Sequence, residues 1–174
     1  MIAITREVPS TVDRGLVTYH ERQPIDLARA RAQHHQYCRA LADLGCEVIT
    51  LPADDAHPDS VFVEDTAIVF DDLAVITRPG AESRRGETRA IAEALAPYRR
   101  LVHIEAPATI DGGDVLVLDD LIFVGMSTRT NDEALAQLRS LTGRTVVCVD
   151  LHGALHLKSA VTRVAPETLL VNRA

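Results

Sequence analysis

A hairpin, a helix and a further strand follow one another more than once along this chain, and no other feature limits its fold as strongly. The segment FVEDTAIVFDDLAVITR holds two β-branched apolar runs, around Ala67 to Phe70 and Leu73 to Thr77, split by Asp71 and Asp72, which predicts a hairpin. A helical stretch from about Glu87 to Tyr98 then leads to the strand LVHIEAP. The order repeats when GGDVLVLDDLIFVG forms a second hairpin pivoting on Asp119 and Asp120. Asn131 caps the helix that follows, with Leu135, Leu138 and Leu141 on one face, Gly143 ends it, and TVVCVD is its strand. Upstream, Asp26 caps a helix in which Leu27, Ala30, Tyr37, Cys38, Leu41 and Leu44 recur at helical spacing; Gly45 ends it before the strand CEVITLP. Downstream, LHLKSAVTRVAPETLLVN predicts a last hairpin that starts at His156. Asp65, Asp114 and Lys158 then hold corresponding places, spaced by 49 and 44 residues.

Such a unit cannot bury both of its faces alone and has to stack on copies of itself. The last copy has only Asn172, Arg173 and Ala174 after its hairpin, so the expectation is one catalytic domain over residues 1–174, incomplete at its C-terminus. No Gly/Ser-rich or Pro-rich linker divides the sequence. An open end of this kind exposes an apolar face and a strand edge, which predicts homo-oligomerisation or aggregation.

The net charge of −7 implies no basic surface for nucleic acid or anionic lipid and suits a cationic small molecule better. No run approaches the roughly 18 apolar residues that span a bilayer, and a cytoplasmic protein is expected. Cys38, Cys46 and Cys148 are an odd number at wide spacing, which predicts reduced thiols rather than disulfides or paired zinc ligands. Cys148, inside TVVCVD, reads as a buried thiol.

The groups able to carry chemistry gather at the hairpin entrances. Asp59, Glu64 and Asp65 precede the first; Asp111 and Asp114 flank Gly112 and Gly113 before the second; His156 opens the third. Acidic residues at such places most often serve turn chemistry or solvation, but repetition in successive units weakens that explanation. Strand alternation would put Glu64 and Asp65 on opposite faces. His156 is suited to acid and base work near neutral pH. Its i, i+4 partner His152 would suggest a metal pair only on a helix, which Gly153 argues against, so no metal is expected. Arg78 follows the first hairpin and Arg129 the second, placing two guanidinium groups where they can clamp a carboxylate, whereas Arg84 and Arg85 read as solvated.

These residues lie in IDLARARAQH, PDSVFVEDTAIV, ITRPGAESRRGE, IDGGDVL, RTN and LHLKSA, and through them the chain resembles the dimethylarginine dimethylaminohydrolase family of the guanidine-modifying enzymes. The resemblance implies an α/β fold, a pentein propeller of ββαβ repeats, here about three units plus the start of a fourth. It implies hydrolysis of asymmetric dimethylarginine or monomethylarginine to citrulline and an alkylamine through a covalent cysteine intermediate, with no metal or organic cofactor. His156 and Asp111 match catalytic positions, and Leu16, Asp59, Glu64, Asp65, Arg78 and Arg129 match substrate-binding ones. The family's nucleophile lies in a glycine-rich segment near the C-terminus that nothing in this sequence matches, so the expectation is no turnover by the chain alone. Two other readings stay open: an inactive guanidinium-binding remnant, and an arginine deiminase, although the family resemblance gives deiminases an arginine where Glu64 stands here.

Overall fold

A computed structural model describes residues 1–172, in two compact units, 1–63 and 64–172. In the first, strand β1 (Ile2–Arg6) pairs in parallel with β2 (Glu47–Leu51), and helix α1 (Leu27–Asp43) makes the crossover between them. Asp26 caps α1 by accepting from the Arg29 amide at 3.0 Å, and Gly45, at φ +88°, takes the left-handed conformation beyond its end. No residue of α1 is fully buried. Its half-buried stripe runs through Leu27, Ala30, His34, Cys38 and Leu41, so the spacing expectation needs correcting: Tyr37 and Leu44 are exposed, and His34 takes the place given to Tyr37.

The second unit realises the repeat. Strands β3 (Ala67–Val69) and β4 (Leu73–Ile76) form an antiparallel hairpin, and β5 (Arg100–His103) joins β4 in parallel after helix α2 (Thr88–Leu95). Strands β6 (Val115–Leu118), β7 (Leu121–Met126) and β8 (Thr145–Asp150), with helix α3 (Asp132–Thr142), repeat that arrangement. A short helix α4 (Leu157–Ala160) then leads into the hairpin of β9 (Val161–Ala165) and β10 (Thr168–Val171). Asp119 adopts φ +54° at the predicted pivot of the second hairpin. Asn131 caps α3 through the Ala134 amide and ties the cap to the preceding loop through the Thr109 amide, while Gly143 ends the helix at φ +67°.

Two details differ from the sequence reading. Each hairpin is preceded by a turn of helix rather than by strand: Val63–Thr66, Gly112–Asp114 and α4. The outer pairs Ala67 with Ile76 and Val115 with Val124 fix the repeat at 48 residues, so Thr66, not Asp65, is in register with Asp114. Helix α2 is also shorter than expected, ending at Leu95 rather than near Tyr98, and Glu82–Glu87 winds as a 3-10 helix ahead of it.

The core of the second unit lies between its sheets and helices: Ile68, Leu73, Val75, Ile110, Ile122, Val124, Leu135 and Leu138 are all buried together. Every residue of β4 is buried, since the strand is paired on both sides and covered on both faces. Each fully buried Leu or Ile there contributes about 1.5–3 kcal/mol relative to exposure. Among the described residues no helix is long and apolar enough to cross a membrane.

Candidate active site

Three carboxylates and one imidazole converge at the entrance turns of the second unit. The 3-10 turn Val63–Thr66 points Asp65 inward and leaves Glu64 exposed. The two do part company as alternation predicts, through a turn rather than a strand. Gly112–Asp114 brings in Asp111 and Asp114, both fully buried, and α4 presents His156 at its N-terminal cap position. The Nδ1 of His156 lies 3.2 Å from Asp114 Oδ1, and its Nε2 faces Asp65 Oδ1 at 3.7 Å and Asp111 Oδ2 at 3.9 Å.

Glycine makes this closeness achievable. A Cβ on Gly113 would stand 2.7 Å from Asp65 Oδ1 and 2.9 Å from the His156 ring, and one on Gly112 would stand 2.1 Å from the Glu64 carbonyl oxygen. With no side chain there, the Gly113 amide donates to Asp65 Oδ1 at 3.1 Å. The other oxygen, Oδ2, accepts from Arg84 at 2.6 Å, and Arg84 also donates to both oxygens of Glu87. Arg84 is 5% exposed and Glu87 2%, which corrects the expectation that Arg84 is solvated. Burial of two carboxylates here requires the guanidinium between them. A sequence signal for this existed: Arg84 and Glu87 are three residues apart in a helical segment, the spacing at which side chains meet.

Asp111 is held by one oxygen only. Oδ1 accepts from the Gly80 amide at 2.9 Å, while Oδ2 is buried without a hydrogen-bond donor among the described residues; the Arg129 guanidinium stops 3.7 Å away. Burial raises the Asp111 pKa above the ordinary carboxylate value, and the charge on Asp65 adds to this, against the Gly80 amide and the cations of His156 and Arg84. For His156, burial pushes the pKa down, but the Asp114 hydrogen bond and the charges of Asp65, Asp114 and Asp111 together outweigh it and hold the imidazole above its ordinary value.

The other sequence candidates are placed as follows. Glu64 pairs with Lys158 at 2.9 Å on the exposed side of its turn. Arg78 donates to the Ala108 carbonyl at 3.2 Å and makes no ion pair with a described carboxylate. In the first unit, Asp59 is buried and both its oxygens accept from the Leu16 amide at 3.1 Å, while the Leu16 side chain is exposed. His152 is exposed. Ligand atoms of Asp65, Asp111 and His156 lie within 4.8 Å of one another, a spacing open to a metal ion, although Arg84 already neutralises Asp65. All three cysteines are free thiols. Cys148 is exposed on β8, not buried as TVVCVD suggests: Val146, two residues earlier on the same side of this outer strand, is buried, but the cover ends before Cys148.

A search of solved structures finds a cysteine-to-serine variant of the Pseudomonas aeruginosa dimethylarginine dimethylaminohydrolase in complex with citrulline; it matches at a TM-score of 0.91 and 38% identity, over 98% of this chain and 69% of that one. Fold and cluster therefore put the chain in one class, the mixed α/β proteins of repeated ββαβ units with a buried carboxylate and histidine site. The family model for N,N dimethylarginine dimethylhydrolase, eukaryotic, matches residues 16–173. Relatives named N(G),N(G)-dimethylarginine dimethylaminohydrolase are 45% identical over 97% of this chain in Streptomyces coelicolor and 40% identical over 92% in Pseudomonas aeruginosa. The chain belongs to the dimethylarginine dimethylaminohydrolase family. It spans 67% and 65% of the length of those two relatives.

Proposed function

We propose that the complete protein hydrolyses asymmetric dimethylarginine, or monomethylarginine, to citrulline and an alkylamine. The observation that carries this reading is the bare, buried Oδ2 of Asp111 beside Asp65 and His156 Nε2. A guanidinium stays protonated at neutral pH and cannot enter a buried site without carboxylates to receive it. Asp111 Oδ2 is a buried acceptor with no hydrogen-bond donor among the described residues, the Arg129 guanidinium stopping 3.7 Å away, and Asp65 stands next to it.

Held as a cation, the substrate keeps its central carbon electrophilic. A cysteine thiolate adds to that carbon, the bond to dimethylamine breaks, and His156 gives its Nε2 proton to the departing amine. A thiouronium remains. The now neutral His156 takes a proton from water, whose oxygen attacks the same carbon; the C–S bond breaks to restore the thiolate, and the new hydroxyl gives its proton to solvent to leave neutral citrulline. The reading gives Cys148 no part in this, since it sits exposed on β8.

In the same reading Arg129, near Asp111, receives the substrate carboxylate, and Leu16, Asp59 and Glu64 keep substrate-binding roles from the family resemblance. Arg78 is the weakest of the proposed set, because its guanidinium is engaged by Ala108. One catalytic domain over residues 1–174 and a cytoplasmic setting for the free thiols belong to the same proposal.

Calorimetry with asymmetric dimethylarginine tests the grip, and a citrulline assay tests turnover. Binding is expected, and Asp111→Asn should weaken it by about tenfold or more, the cost of one charged hydrogen bond. Absence of binding, or an Asp111→Asn variant that binds as well, would refute the reading. Binding without citrulline in the complete protein is the signature of the guanidinium-binding alternative, and a preference for arginine over dimethylarginine that of a deiminase.

A further inference from the structure

His156 has two ring nitrogens, and the acid and base work proposed for it needs Nε2 free to carry the proton both ways. The distances decide which nitrogen is bound elsewhere. Nε2 faces Asp65 and Asp111 at 3.7 and 3.9 Å, too far for a hydrogen bond, whereas Nδ1 lies 3.2 Å from Asp114 Oδ1.

Asp114 is itself fully buried and fixed from three directions. Its Oδ2 accepts from the hydroxyls of Ser127 at 2.5 Å and Thr130 at 2.7 Å, and its Oδ1 from the Leu157 amide at 3.3 Å. Ser127 and Thr130 belong to the loop between β7 and α3, and Leu157 to α4, so two segments of the unit aim this one carboxylate. Its oxygens already accept from three donors, and a carboxylate can only accept. Nδ1 must therefore be the donor.

We propose that Asp114 is the positioning residue for His156: it fixes the neutral imidazole as the Nδ1–H tautomer, with Nε2 bare and turned to Asp65 and Asp111. Asp114 touches no reacting atom and acts through the ring alone. Its aspartate character is needed for this, because an asparagine in the same place presents an N–H group to Nδ1 as readily as a carbonyl. Only the catalytic consequence rests on the proposed function; the tautomer is a property of the chain itself.

The test is long-range 15N–1H NMR of the histidine rings in the full chain across pH 5.5–9.5, with His156 assigned by the signal lost in His156→Gln. The expected neutral form carries its proton on Nδ1 in the wild type. Asp114→Asn should lower the proton affinity of His156 by about tenfold, one pKa unit, and populate the Nε2–H form. Asp111→Asn should leave the tautomer as it is. A wild-type imidazole protonated mainly on Nε2 overturns the proposal and needs no variant to fold. A folded Asp114→Asn chain with unchanged tautomer and titration overturns it equally. Failure of the hydrolase reading would show separately, in the dimethylarginine calorimetry.

Discussion

Replacing Arg84 by methionine should be among the most damaging single changes to this chain. The arginine is 5% exposed and bridges Asp65, at 2.6 Å, to Glu87, at 2.8 Å, and Glu87 is itself only 2% exposed. Methionine fills much of the volume and takes away the charge, so the cost is electrostatic rather than a cavity. One hydrogen bond to a charged group is worth about 1.5–3 kcal/mol, and breaking a buried ion pair from one side costs about 3–5 kcal/mol. Because one guanidinium serves two carboxylates, we expect the upper range, about 3–5 kcal/mol, against a total stability of about 5–15 kcal/mol for a folded domain. With no tryptophan in the chain, urea unfolding is best followed by far-UV circular dichroism. The double variant Arg84→Met/Glu87→Leu should recover at least about 1 kcal/mol, since it leaves one fewer buried charge without a partner. A loss below about 1 kcal/mol in Arg84→Met, or strictly additive effects in the cycle, would refute the account of Arg84 as a shared buried counterion.

Gly113→Ala should destabilise the chain by about 1–2 kcal/mol, because crowding against Asp65 and His156 costs about 1–3 kcal/mol and the stiffer unfolded chain returns only about 0.4–1. Unfolding in urea measures this, and an alanine variant as stable as the parent would mean the turn can relax. Stability should also fall as pH rises from neutral. The His156 pKa is raised by folding, so its contribution is complete below its ordinary value of 6.5 and is lost as pH climbs through the folded value. Asp111, also raised, works in the same direction over a lower window that begins at the ordinary carboxylate value of 3.8. The urea midpoint followed from pH 6 to 9 should decline in the parent and stay flatter in His156→Gln; equal slopes would contradict the assignment.

Local features were legible in the sequence where a single residue decides the backbone. Asp26 and Asn131 at helix starts, Gly45 and Gly143 at helix ends, and the Asp119 pivot all act within a few residues of themselves. The converging acidic residues and His156 were legible through repetition, because equivalent places in successive units meet at one end of the stack. Burial was not. Nothing within five residues of Arg84 announces that Asp65 lies against it, and nothing in TVVCVD tells that Val146 is buried while Cys148, two residues on, is exposed. The helical turns before each hairpin were read as strand because their flanking residues are apolar and β-branched; the side-chain bonds of Asp65, Asp114 and His156 favour the turns.

Asp111 Oδ2, buried and without a donor among the described residues, also bears on how a turnover would end. A guanidinium entering there relieves an uncompensated acceptor with a charged donor, and the attraction is greatest while the ligand is a cation. Citrulline carries a neutral ureido group in that place. Its weaker donor leaves the carboxylate only partly compensated, and the desolvation cost of Asp111 returns to the bound complex. Under the proposed reaction the same oxygen that draws the substrate in therefore loosens its hold once the chemistry is done, so that loss of charge, rather than any movement of the chain, favours departure of the product.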